Sequence, residues 1–176
     1  MGDKMKKNLV IAILCLACFL LMLLSSSLLK DIRLIKSETG RDYYYLVSDT
    51  KYLVREIKEV NFREVVQTEH GKKLLTNFNS QLWDKEWIFL ETPNRLNEIG
   101  IRIREVNKIL NNTLKQGTIT EKEEAAVKNS LEIIGLIMID LEVFTGQDIT
   151  WYELFNDREL SEEINKKIEQ RLNEDY

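Results

Sequence analysis

Residues 92–117 read TPNRLNEIGIRIREVNKILNNTLKQG and residues 120–146 read TEKEEAAVKNSLEIIGLIMIDLEVFTG, and these two segments decide the fold. In the first, Thr92 is placed to cap a helix that opens on Pro93, where the missing N–H costs nothing because first-turn donors have no intrahelical partner. Leu96, Ile99, Ile103, Val106, Leu110 and Leu114 then recur at steps of three and four as far as Gly117, the spacing that lines one helical face. In the second, Thr120 and Glu123 form a capping box, in which hydroxyl and carboxylate each satisfy an orphan backbone donor. Val127, Leu131, Ile134, Met138 and Leu141 follow at steps of 4, 3, 4 and 3, up to Gly146. The short connection makes these helices, each of roughly 24 residues or about 36 Å, an antiparallel hairpin. Ile133, Leu136, Ile137 and Ile139 make the second arm apolar on most faces, as a central helix enclosed by neighbours would be.

Upstream, Leu74, Leu75, Phe78, Leu82 and Phe89 predict another helix, from after Gly71 to Glu91. Between Asp42 and Gln67, Leu53, Ile57, Val60, Val65 and Val66 fit an amphipathic helix. Tyr43 to Val47 would suit a strand equally, so a short β-hairpin near 43–60 is the alternative. Downstream, Thr150 and Glu153 repeat the capping box, and one helical region runs through Leu160, Ile164, Ile168 and Leu172 to Glu174 and Asp175. Its apolar stripe is narrow, which places it on the outside of a bundle. Seven Gly and one Pro in 176 residues mark few breaks, favouring long helices over a many-stranded sheet. The expected fold is all-α: a single N-terminal transmembrane helix, then an antiparallel bundle of about four to five helices.

The transmembrane expectation rests on Leu9 to Leu29, 21 residues without a charge between Lys7-Asn8 and Lys30. At 1.5 Å per residue they make about 31 Å of helix, the thickness of a hydrocarbon core. A cleaved secretory signal competes with this reading: Lys4, Lys6 and Lys7 form an n-region, Ser25 and Ser27 could precede a cut, and the product would be a secreted helical protein. The apolar run is longer than most signals carry. A lipoprotein reading at Cys18 fails because Phe19 to Leu24 stay apolar, and N-myristoylation fails on Lys6. The expected organisation is a cytoplasmic tail at 1–8, the span at 9–29, a stem and hinge at 30–41 where Ser37 to Gly40 interrupt the pattern, and an extracytoplasmic bundle at 42–176. The positive charges on the two sides of the span balance, so the inside N-terminus follows from the short tail and the long C-terminal domain.

The chain holds 25 Lys and Arg against 29 Asp and Glu; with Asp3, Lys4, Lys6 and Lys7 ahead of the span, residues 30–176 carry 22 basic against 28 acidic. Nucleic acid is excluded as the main partner, because phosphate binding needs a concentrated basic face. Both cysteines, Cys15 and Cys18, lie in the apolar run, so the bundle has neither a disulfide nor a thiolate site. The single histidine, His70, in TEHG (68–71), reads as a residue at a helix C-terminus. Zinc and di-iron sites need further His or Cys ligands. The carboxylates gather at helix starts, where the macrodipole favours them. No nucleophile elbow, phosphate loop or EF-hand spacing occurs, so neither an enzyme nor a cofactor is expected.

Aromatic residues supply the unusual local feature. Trp83 and Trp87 lie one helical turn apart, and Trp151 and Tyr152 follow later; all four are candidate partner-binding residues, although rings of this kind more often close a small core. Tyr43, Tyr44 and Tyr45, close to the span, are candidate membrane-interface residues. The expected function is a non-catalytic, membrane-anchored module for protein–protein interaction in a bacterial cell envelope, contacting the bilayer through Leu9 to Leu29. The alternative is a ligand-binding or sensory bundle acting through a membrane partner. The chain superficially resembles such receptors in carrying a helical domain on a membrane helix, and departs from the chemoreceptor pattern in lacking a second membrane segment and an output domain.

Overall fold

The computed structural model describes residues 2–145 and 150–174, except for the side chains of residues 2–13 and Cys15. The regular structure of the described residues is all helical, in seven elements: α1 (Gly2–Lys58), α2 (Phe62–Val65), α3 (Glu69–Leu90), α4 (Asn97–Gln116), α5 (Glu121–Phe144), α6 (Trp151–Asn156) and α7 (Glu162–Leu172). Among them there is no strand, so the β-hairpin near 43–60 does not form: Leu46, Val47, Leu53, Val54 and Ile57 are buried at helical intervals along α1, and period 3.6 prevails over the β propensity of the tyrosines. Residues 1–39 and 40–176 are separate compact units.

In the first unit the described side chains are exposed as far as Glu38, Leu14, Phe19, Leu21, Leu24 and Leu28 among them. Among the described residues no helix is long and apolar enough to cross a membrane. Leu9 to Ile13 and Cys15 belong to the apolar run read from sequence, and their side chains lie outside the described set. The helix does not break at Ser37 to Gly40, where the sequence predicts a hinge.

The second unit is a helical bundle. Within it α3 packs on α4, α4 on α5 and α5 on α7. One core joins Leu46, Val54 and Ile57 of α1, Leu75, Leu82 and Phe89 of α3, Ile99, Ile103 and Leu110 of α4, and Leu131, Ile134 and Met138 of α5. The predicted hairpin is present: Gly117, at φ 70°, ends α4 in the left-handed conformation and its N–H reaches Thr113 O, a conformation in which a Cβ is strained. Three residues later Thr120 and Glu123 form their capping box, as do Thr150 and Glu153 at α6. The end of the α5 pattern at Gly146, and Asp175 at the chain end, lie outside the described residues.

Four local expectations are corrected. Thr92 does not cap α4; it is buried, donates to Phe89 O at 2.7 Å, and α4 begins at Asn97. His70 lies in the first turn of α3, beyond the N-cap Thr68, whose hydroxyl accepts from Gly71 N. The C-terminal region is two helices, parted at Asp157, with Ser161 capping the second. Finally, α5 is not enclosed on all sides: Ile139 and Val143 remain 48% and 59% exposed.

Candidate functional site

The candidate aromatic residues divide into two groups. Trp83 and Trp87, on α3, stay 50% and 49% exposed, with ring centroids 6.1 Å apart in an edge-to-face pair. Leu82, Glu86 and Phe89, on the same helix, are buried. The helix thus turns its regular apolar stripe inward and its two indoles outward. Ile88, 41% exposed, lies on α3 beside Trp87 in sequence. Edge-to-face pairing fixes each ring with little further entropy to lose on contact with a partner.

The second group joins α1 to α6. Tyr43 is half-buried and stacks on Phe155 at 4.3 Å and 6°, and Phe155 in turn meets Phe89 at 5.7 Å. Tyr44 packs edge-on against Trp151 at 5.8 Å and lies 5.5 Å from Tyr45. Trp151 and Tyr152 are half-buried. Gly40 explains the fit: it is buried, and a Cβ there would sit 3.3 Å from Tyr152 N and 3.7 Å from Trp151 Cβ. The glycine taken from sequence as a helix breaker is the place where α6 lies close against α1. Tyr44 and Tyr45 keep 42% and 54% exposure.

Between α1 and α5 runs a groove of about 250 Å³ that the sequence did not reveal. Val54, Leu131, Leu136 and Ile139 supply its apolar lining, with Gly135 opposite Val54. Its rim carries two ion pairs between the helices, Lys51 with Glu142 at 2.6 Å and Lys58 with Glu132. Tyr44, Tyr52 and Trp151 line an adjoining hollow with Glu142. The open flank of α5 is therefore the wall of a depression. The signal that was available is Gly135 in the middle of an otherwise continuous apolar helix.

A buried polar seam crosses the α3–α4 interface. Glu86, 1% exposed, accepts from Arg104 Nε at 2.8 Å and from Asn107 Nδ2 at 3.0 Å. Farther along, Asn79 donates to Asn111 at 3.2 Å. Asn79 Oδ1 and Asn107 Oδ1 are buried without a hydrogen-bond partner among the described residues. Glu86 occupies a position on the interior stripe of α3, and that misplaced charge was the sequence signal for the seam. The chain matches no protein-family model, no curated protein and no solved structure.

Proposed function

We propose that this chain is a non-catalytic, membrane-tethered interaction module, held in the bilayer through Leu9 to Leu29 and presenting its bundle to a protein partner on the extracytoplasmic side. One observation carries the reading: Trp83 and Trp87 remain half-exposed on a helix whose Leu75, Phe78, Leu82 and Phe89 are buried. Covering their exposed halves would remove about 200 Å² of apolar surface from water, worth about 5 kcal/mol before the costs of association. That is the scale of an interface hot spot. The tether is supported by the charge-free run and by the exposure of its described leucines.

The test is crosslinking of the full chain in native membranes, with the captured protein identified and the C-terminus probed with protease on intact cells. Trp83→Ala with Trp87→Ala should abolish capture and leave the helical circular dichroism unchanged. Unaltered capture by that variant would refute the surface, and a protease-protected C-terminus would reverse the orientation.

The α1–α5 groove favours a second reading, a small-ligand-binding bundle, since pockets combine apolar walls with a few polar groups, here Lys51, Lys58 and Glu132. Thermal stabilisation by a small-molecule panel, lost on filling the groove, would support that reading over protein docking.

A further inference from the structure

We propose that the groove between α1 and α5 binds a small aliphatic monocarboxylate, with its carboxylate on Arg55 and its chain against Val54, Leu136 and Ile139. Such a ligand belongs to the small-ligand reading of the groove, on which this assignment rests, and does not involve the Trp83 and Trp87 surface.

Lys51, Arg55 and Lys58 of α1 line the groove at steps of four and three. The facing helix answers the outer two: Glu142 lies 2.6 Å from Lys51 Nζ, and Glu132 pairs with Lys58. Between those glutamates α5 lines the groove with Gly135, Leu136 and Ile139, none of which carries a charge. Arg55 therefore has no counter-charge across the groove, and among the described residues its guanidinium makes no hydrogen bond or ion pair. Glu59, one turn on, does not pair with it. An acid that follows a base is the weaker order on a helix, and Glu59 shares its end of the groove with Lys58 and Lys128. A cation in the last turn of α1 suits the macrodipole, but its planar fork of donors still lacks a protein acceptor.

The missing partner defines the ligand. A carboxylate matches the guanidinium fork with two parallel hydrogen bonds. Glu132 and Glu142 on the facing helix, with Glu59 at the end of the groove, repel an anion of higher charge, so a monocarboxylate fits better than a phosphate monoester. The walls are aliphatic: Val54, Leu131, Leu136 and Ile139 offer no side-chain donor or acceptor. A sugar or a nucleobase would lose its hydration there without replacement, whereas a hydrocarbon chain gains by leaving water. Ile139, 48% exposed, is the wall such a chain would cover, and Gly135 makes room by presenting no side chain toward Val54. At about 250 Å³ the groove is smaller than the roughly 300–1,000 Å³ of drug-sized pockets, which limits the occupant to a short or medium chain.

The test is isothermal titration calorimetry on the full-length chain in lipid nanodiscs, in mildly alkaline buffer that keeps the probe ionised, with the heats of empty nanodiscs subtracted. The probe is octanoate. It should bind, and affinity should rise about fourfold for each methylene along the series butanoate, hexanoate and octanoate. The uncharged 1-octanol should bind about fivefold more weakly, the upper range for a solvent-exposed ion pair. Arg55→Gln, at an exposed position, should weaken octanoate about fivefold and leave octanol unchanged, whereas Gly135→Ala should weaken both; circular dichroism and thermal unfolding check the fold of each variant. Octanol binding as tightly as octanoate, with Gly135→Ala weakening both, would overturn the carboxylate class while sustaining the small-ligand reading of the groove. Tighter binding of octyl phosphate, octanoate binding that ignores either substitution, or no octanoate binding beyond that of empty nanodiscs would overturn the proposal, and thermal stabilisation by the small-molecule panel reads the groove itself separately.

Discussion

The amide of Asn94 holds the end of α6 at Leu154: Nδ2 donates to Leu154 O at 2.9 Å and to Asp157 O at 2.8 Å, while Oδ1 accepts from Leu96 N at 3.0 Å. One buried side chain thus satisfies carbonyls released where α6 stops and a donor released where α4 starts, the groups that helix ends leave without partners. The sequence pattern runs on from Thr150 to Leu172. The helix parts at Asp157, where Asn94, from the connection between α3 and α4, supplies partners for the carbonyls of Leu154 and Asp157.

Asn94→Ala should therefore destabilise the bundle by about 2–3 kcal/mol, since it strands polar groups in a buried place. Urea unfolding of the 40–176 fragment checks this. A loss under about 0.5 kcal/mol, the range of surface substitutions, would mean that water replaces the amide freely.

Two glycines should respond in opposite directions. A Cβ on Gly71 would lie 1.9 Å from Val65 O, a backbone atom, so Gly71→Ala must push α2 from α3 and should cost about 1–3 kcal/mol. A Cβ on Gly135 meets Val54 Cγ2 at 3.5 Å, an ordinary contact, so Gly135→Ala should stabilise α5 by about 0.5–1 kcal/mol. It should also narrow the α1–α5 groove and weaken any small molecule bound there. Equal effects of the two substitutions in thermal unfolding would contradict the packing of α2 on α3.

The Glu86–Arg104 pair should couple strongly, because Glu86 is 1% exposed and its other hydrogen bond comes from the neutral Asn107. Arg104→Ala leaves a buried carboxylate short of its counter-charge and should cost about 3 kcal/mol. Glu86→Gln alone leaves the guanidinium, itself 56% exposed, in reach of water and should cost less. In the double variant the loss from Arg104→Ala should shrink, giving a coupling energy of at least about 1 kcal/mol in a double-mutant cycle. Strict additivity would show that the seam is solvated.

The cap of α5 should weaken in acid. Hydrogen bonds from the Thr120 hydroxyl, and next from its backbone N–H, hold the Glu123 carboxyl below its ordinary value. A carboxyl depressed in the folded state contributes stability that is present above its unfolded value and lost as pH falls through the folded one. Amide protection over the first turn of α5 should accordingly decline below about pH 4 in the wild type, whereas Glu123→Gln should give a lower, flat profile. Parallel profiles by hydrogen-exchange NMR would show that Glu123 does not carry the dependence.

Local pattern was enough for the helical class, the capping boxes at Thr120 and Thr150, the α4–α5 hairpin and the inward faces of α3, α4 and α5, because each follows from side-chain period and from hydrogen bonds within four residues. The exposure of the indole pair was not read from sequence, where such rings more often close a small core; the structure shows that Trp83 and Trp87 fall off the apolar stripe of their own helix. Contacts distant in sequence decided the rest. Gly40 reads as a breaker until Trp151 and Tyr152 lie against it, and Tyr43 reads as a membrane-facing ring until Phe155 stacks on it. Thr92 reads as a cap, but Asn94 takes up the neighbouring donor and acceptor groups. The groove between α1 and α5 depends on Lys51 meeting Glu142, 91 residues apart, and Glu86 could be seen in sequence as misplaced but not as paired. A single chain's periodicity records which face of a helix turns inward; which neighbour fills that face is settled only when all the helices compete for the same core.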